Sequence, residues 1–169
     1  MNFKELKIDD FICNPFSKIG KEWMAISAGD INNFNSMTAS WGGLGVMWGK
    51  NVAFTFIRPQ RYTKKFIDKF DKFSLCFFDE CYRKSLSFLG SVSGNNDGDK
   101  MSKCDLTSKF IDDVPCFEEA KLVLICKKLY MQKMKPECFI SSDLDSKWYE
   151  NKDYHFMYVS EIEKIYYNE

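Results

Sequence analysis

Residues 35–63 read NSMTASWGGLGVMWGKNVAFTFIRPQRYT, and how this stretch is read decides the fold. It opens on small and polar side chains, passes through a Gly-rich, Trp-bearing segment that reads as a loop, and runs directly into Asn51–Ile57, which reads as a strand. Gly42, Gly43 and Gly45 fall within four positions, where they allow positive φ and let another group approach the backbone closely. Ser, Thr and backbone N–H groups in such a loop suit an anion or the polar edge of a heterocycle. The strand stops at Arg58-Pro59, because proline cannot donate to a ladder. Arg58 and Arg61 flank that proline, and Tyr62 and Thr63 begin a helix. Guanidinium forks, a hydroxyl and the free N–H groups of a helix start suit a phosphate monoester. Taken alone, the same residues read equally as solvated turn arginines with Thr63 as a helix cap. The segment lacks the residue order of a P-loop and the strand–helix setting of a dinucleotide fingerprint.

Outward from this stretch, four more strands are expected. Glu22–Ala28 lies between Gly20 and the turn pair Gly29-Asp30, and Lys72–Phe78 and Lys121–Tyr130 are apolar runs suited to buried strands. Phe156–Tyr166 alternates only in part, with Val159, Ile162 and Ile165 apolar. Tyr62–Phe70 has a helical pattern with Phe66, Ile67 and Phe70 on one face, and Cys81–Leu89 repeats it with Leu86 and Leu89. A third short helix is expected near Asp99. The helices are too few and too short for βαβ alternation, which points to a mainly antiparallel barrel, mainly β with added short helices. At 169 residues the chain reads as one domain, 1–169, able to bury a core without disulfides or metal. Its 16 Phe, 8 Tyr and 4 Trp suit a β-rich core and also pockets for flat ligands.

Lys plus Arg equals Asp plus Glu at 24 each, with no basic block, which argues against a nucleic-acid partner. The opening MNFKELKIDD mixes charges and lacks the apolar run of a signal peptide, and no stretch is apolar for long enough to span a bilayer. A cytoplasmic protein with no membrane partner is expected. The seven cysteines show no two-residue spacing of a zinc or redox motif, and Cys76, Cys126 and Cys138 read as small buried hydrophobes.

The run from Asn35 to Thr63 resembles the signature of flavin reductase-like FMN-binding split-barrel proteins, a group that includes flavoredoxins. Further similar segments follow in order: FFDECYRKSLSFLGSVSG, DGDK at 97–100, PCFEEAKLVLICKKLY and KWYENKDYHFMYVSEIEKI, so the likeness spans roughly Gly20 to Ile165. The resemblance implies a six-stranded split barrel that forms a homodimer, with FMN near the subunit interface. It places Met37, Thr38, Ala39, Ser40 and Trp41 beside the flavin ring and ribityl chain, and Arg58, Pro59, Arg61, Tyr62 and Thr63 by the phosphate, with Arg61 foremost. Ser93, Gly94 and Lys100 would form a second phosphate-side motif, although Asn95-Asn96 stands where similar proteins commonly have Arg-Asp. A lone lysine such as Lys100 in a polar loop is otherwise expected to be solvated. His155, the only histidine, would lie near the flavin, or else simply lead into the last strand. Trp41 is favoured over Trp48 as a shield for the ring, since it falls inside the matched motif.

The implied activity is NAD(P)H-dependent flavin reduction, with NADH or NADPH as transient donor and free flavin, a ferric complex or a protein as acceptor. Hydride transfer between stacked rings needs no acid–base side chain, so no catalytic residue is assigned. The alternatives are a flavoredoxin-like electron carrier without efficient nicotinamide turnover, and a non-catalytic split-barrel binding module.

Overall fold

The structure is a computed structural model that describes residues 2–98 and 100–168, the side chain of Ser142 excepted. In chain order it runs β1 (Phe3–Leu6), α1 (Pro15–Gly20), β2 (Met24–Gly29), β3 (Phe34–Ala39), β4 (Gly42–Met47), β5 (Lys50–Ile57) and α2 (Thr63–Lys69). There follow β6 (Lys72–Phe77), α3 (Arg83–Ser91), β7 (Ser108–Ile111), β8 (Val114–Phe117), β9 (Leu122–Lys133), α4 (Ser142–Trp148) and β10 (Phe156–Asn168). The main sheet is antiparallel throughout, in the order β3-β2-β6-β9-β10-β5-β4, with β1 added along β10, while β7 and β8 form a separate ribbon.

Strand alternation sorts the side chains onto two faces. Met24, Ile26, Phe73, Leu75, Phe77, Leu122 and Leu124 share one core with Met37 of β3 and Ala53 and Ile57 of β5. Strands from both ends of the sheet path enclose this cluster, so the sheet is rolled into a barrel around it. The intervening residues Ala25, Cys76, Val123 and Ile125 form a second core, covered by Leu86 and Leu89 of α3 and by Val114, Cys116 and Phe117. β2, β6 and β9 are therefore buried on both faces, which is why they read as unbroken apolar runs.

β10 explains its own irregular pattern. A bulge between Ile162 and Lys164 puts one extra residue against β9, so Ile162 and Ile165 both face the barrel core despite a spacing of three.

The Gly-rich segment differs from its sequence reading. Gly42–Met47 is strand β4, paired with β5, and Asn35–Ala39 belongs to β3. None of Gly42, Gly43 and Gly45 has positive φ; that conformation falls instead to Trp48 (53°) and Gly49 (70°), the two-residue turn joining β4 to β5. What Gly42 provides is close approach, since a Cβ there would sit 2.6 Å from the Phe54 carbonyl oxygen. The expected helix at Tyr62–Phe70 is α2. The one at Cys81–Leu89 is a 3-10 turn followed by α3, and near Asp99, itself outside the described residues, Lys100–Lys103 makes only a 3-10 turn. Cys76 and Cys126 are buried as expected, but Cys138 is exposed. Its neighbour Pro136 starts an exposed 3-10 turn rather than a strand. No helix of the described residues is long and apolar enough to cross a membrane.

Candidate functional site

At Ser40-Trp41 the chain passes from β3, at one end of the sheet path, to β4, at the other. This split in the barrel holds a trough made of two joined cavities, of about 230 and 370 Å³, which share Met37, Arg58 and Arg61. Together they are of the size that small-molecule ligands occupy.

The smaller cavity runs along Met37, Thr38, Ala39 and Ser40 beneath Trp41, Phe56, Trp148 and His155. Among the described residues β3 pairs only with β2, so its other edge lies open. In an antiparallel strand the N–H and C=O of one residue point the same way. The Ser36 carbonyl turns away from β2 to accept from Lys100 Nζ at 2.8 Å, so the backbone groups of Thr38, two residues on, also face outward. A bare strand edge is usually covered or blunted, and here it offers donors and acceptors to a ligand instead. The Thr38 hydroxyl donates to the Leu86 carbonyl, tying β3 to α3. Trp41 packs edge-on to Trp148 at 5.1 Å and tilted against His155 at 5.0 Å.

His155 is buried, and its Nδ1 lies 2.8 Å from the Tyr149 hydroxyl. Burial first, then the neighbouring Arg58, pushes its pKa down to about 4, so the ring is neutral at neutral pH.

The larger cavity is cationic. Arg58 is committed elsewhere: it pairs with Asp153 and donates through Nη2 to the Trp148 carbonyl at 2.9 Å, while Gln60 donates to the same Asp153 carboxylate at 2.6 Å. That pairing holds the Asp153 carboxyl below its usual range. Arg61 donates to the Gly90 carbonyl and has no carboxylate partner among the described residues. Lys100 likewise has none. It is buried, 2% exposed, and donates to the Ser36 and Leu89 carbonyls, each at 2.8 Å. Burial and the nearby Arg61 push its pKa down to about 8. Burial and Arg58 also lower the pKa of Arg61. Two cations therefore share a cavity without a counter-charge among the described residues, an arrangement that favours a bound anion.

Thr63 is the first residue of α2 rather than a side-chain cap, and its hydroxyl accepts from Asn35 Nδ2 at 2.7 Å. Gly94 packs so closely on this pair that a Cβ would stand 2.4 Å from Asn35 Oδ1 and 3.0 Å from the Tyr62 ring. Ser93 and Gly94 line the cavity together with Tyr62.

The trough thus gathers every residue that the resemblance places at the cofactor except Pro59, which turns the chain between Arg58 and Arg61. Lys100 is a buried donor rather than a solvated side chain. Trp48 lies elsewhere, 58% exposed and packed 6.2 Å from Tyr130. The sequence reading passed over Asn35, Phe56 and Trp148 as wall residues. Asn35 and Phe56 sat within the deciding stretch, and Trp148 within the KWYENKDYHF segment, but nothing in their spacing marks them as facing a cavity.

No family model matches the chain, and no curated protein resembles it in sequence. Solved structures do share its fold. An FMN-binding domain of a flavin reductases-like enzyme from Shewanella baltica OS155 superposes with a TM-score of 0.72 at 15% identity, over 98% of this chain and 77% of that one. Flavoredoxin from Methanosarcina acetivorans gives 0.68 at 17% identity, over 88% and 69%. The FMN-binding protein from Thermus thermophilus, solved with bound p-hydroxybenzaldehyde, gives 0.66 at 17% identity, over 85% and 69%. The chain has the split-barrel fold of these FMN-binding, flavin reductase-like proteins.

Proposed function

We propose that the chain binds FMN in this trough and is an oxidoreductase that takes electrons from NADH or NADPH and passes them to free flavin, a ferric complex or a protein. The observation that carries this reading is the pairing of two uncountered cations, Arg61 and Lys100, with an open strand edge under aromatic walls in one continuous cavity. FMN, with an anionic head, a polar linker and a flat, hydrogen-bonding ring, matches the cations, the open strand edge and the aromatic walls. Arg61, Lys100 and Ser93 would hold the phosphate. Met37 to Ser40 would run beside the ribityl chain and the polar edge of the ring, and Trp41, Phe56 and Trp148 would exclude water from it. Bound FMN supplies hydride and single-electron chemistry; fixed backbone donors at β3 favour its electron-rich state. An apolar recess of about 410 Å³ adjoins the trough, sharing Trp41, Phe56 and Trp148, and leaves room for a second ring beside the first.

The electron-carrier reading is favoured by a different observation. The residues that line the recess are all apolar or aromatic, and none of them is a cation that would recognise a dinucleotide's phosphates.

A homodimer is part of the proposal. Val46 and Trp48 of the β4–β5 hairpin and Tyr130 and Met131 of β9 are exposed apolar side chains, and Trp48 and Tyr130 touch. Such a cluster suits burial against a second copy.

The test is the visible spectrum of the protein after incubation with FMN and desalting, followed anaerobically after addition of NADH or NADPH. Retained flavin that bleaches promptly supports the reductase. Retained flavin that bleaches only with dithionite supports the carrier; where none is retained, a binding titration decides between exchanging FMN and a barrel that binds no FMN. Sedimentation of the same sample as a monomer would remove the dimer.

A further inference from the structure

Tyr149, just past the end of α4, is held on several sides. Its N–H donates to the Asp145 carbonyl at 2.9 Å, its ring stacks on Tyr154 at 5.0 Å and packs on Phe139 at 5.6 Å, and the Arg58 guanidinium lies 5.4 Å from its centroid. The hydroxyl therefore has little freedom. It stands 2.8 Å from His155 Nδ1 and 3.6 Å from the Met134 thioether sulfur. A phenol proton shared between an imidazole nitrogen and a thioether goes to the nitrogen, because sulfur is much the weaker acceptor. Burial raises the Tyr149 pKa, so the hydroxyl keeps that proton to give.

The charges facing His155 are Arg58, Arg61 and Asp153, and Asp153 is already engaged by Arg58 and Gln60. With Nδ1 accepting and the ring neutral, its one proton must sit on Nε2. Nε2 has no hydrogen-bond partner among the described residues. It is also not among the buried polar atoms left without one, and His155 lines the smaller cavity.

We propose that Tyr149 is a positioning residue that fixes His155 as the Nε2–H tautomer, so that the histidine presents a fixed hydrogen-bond donor to the ligand ring in the trough. The tautomer stands on this chain's geometry alone. The donor's role rests on the FMN reading: aimed at an acceptor oxygen or nitrogen of a flat ring, an uncharged N–H strengthens as that ring gains electron density. The residue is thus a donor rather than a general base, and its partner sets which.

His155 is the only histidine, so labelled imidazole nitrogens need no assignment. Long-range proton–nitrogen spectra of the protein with ¹⁵N-labelled histidine at neutral pH should show Nδ1 bare and Nε2 protonated, by a ratio of at least about ten to one. In Tyr149→Phe, which keeps the ring packing, the Nδ1 signal should move to its unbonded position and the ratio should fall several-fold. A wild-type spectrum with the proton on Nδ1 overturns the proposal even if the variant fails to fold, and so does a folded variant with an unchanged spectrum. On addition of FMN, the Nε2–H signal should shift and exchange more slowly with water. Flavin retained with Nε2–H unmoved overturns the donor role. No binding of FMN in a titration refutes the FMN reading, while the tautomer is decided by the first spectrum either way.

Discussion

The two ends of the trough each hold a buried base, yet only one of them is charged at neutral pH. Burial pushes Lys100 from an ordinary 10.5 to about 8 and His155 from an ordinary 6.5 to about 4, so the same penalty acts at both ends. What differs is the starting point. Lys100 stays below its pKa and remains an ammonium ion; His155 stays above its pKa and remains neutral. The partners follow suit, with carbonyl acceptors around the lysine and a phenol hydroxyl at the histidine. One end of the trough is suited to hold by charge, the other by shape and neutral hydrogen bonds, and the two should fail independently.

The sharpest way to break that contrast is Arg61→Ala, assayed with FMN and with riboflavin, which lacks the phosphate. Losing a charge-assisted contact should weaken FMN by on the order of 2 kcal/mol, or about 30-fold in Kd, and leave riboflavin unchanged. Titration by flavin fluorescence gives both numbers. Equal loss for both ligands would mean that Arg61 shapes the trough through its bond to Gly90 rather than holding an anion.

The alkaline limb sharpens the same contrast with a smaller effect. A bound dianion favours the charged form of Lys100, so FMN affinity should be full near pH 7 and decline as pH rises above about 8, by about tenfold at pH 9. The stability of the flavin-free protein should move the opposite way. Its Lys100 pKa is depressed, so the unfolded chain binds more protons between about 8 and 10.5, and stability rises across that window. Lys100→Met should abolish both slopes, and an FMN affinity flat from pH 7 to 10 would remove Lys100 from the phosphate site.

The contrast was only half visible in the sequence. Arg61 and Trp41 could be placed because they belong to a long contiguous motif whose likeness to known split barrels fixes their positions. Lys100 is named by the same likeness, but its burial is not legible, because it is held by carbonyls at Ser36 and Leu89 and no local pattern signals contacts across 64 and 11 residues. The barrel was legible where strands are buried on both faces, as at Lys72–Phe77, or end in a clear breaker, as at Arg58-Pro59. It was not legible in β3 and β4, where Asn35, Ser36, Thr38 and three glycines give a loop-like composition to real strands. Tertiary context overrode propensity there: Ser36 satisfies its hydroxyl against Ser27 at 2.8 Å, and Gly42 lets β4 lie close to β5. Of these residues, Asn35 and Thr38 are the ones that line the trough.

The smallest expected effect tests the neutral end. Trp148→Ala removes the edge-on partner of Trp41 and one wall of both the trough and the adjoining recess. The ring contact is worth about 0.5–1.5 kcal/mol, so FMN and riboflavin should both weaken by roughly three- to tenfold, and by the same factor. The Arg58 bond to the Trp148 carbonyl survives the substitution, which keeps the cationic end intact. A loss confined to FMN would show that the aromatic wall acts on the phosphate through Arg58, and the two ends would then have to be treated as one site.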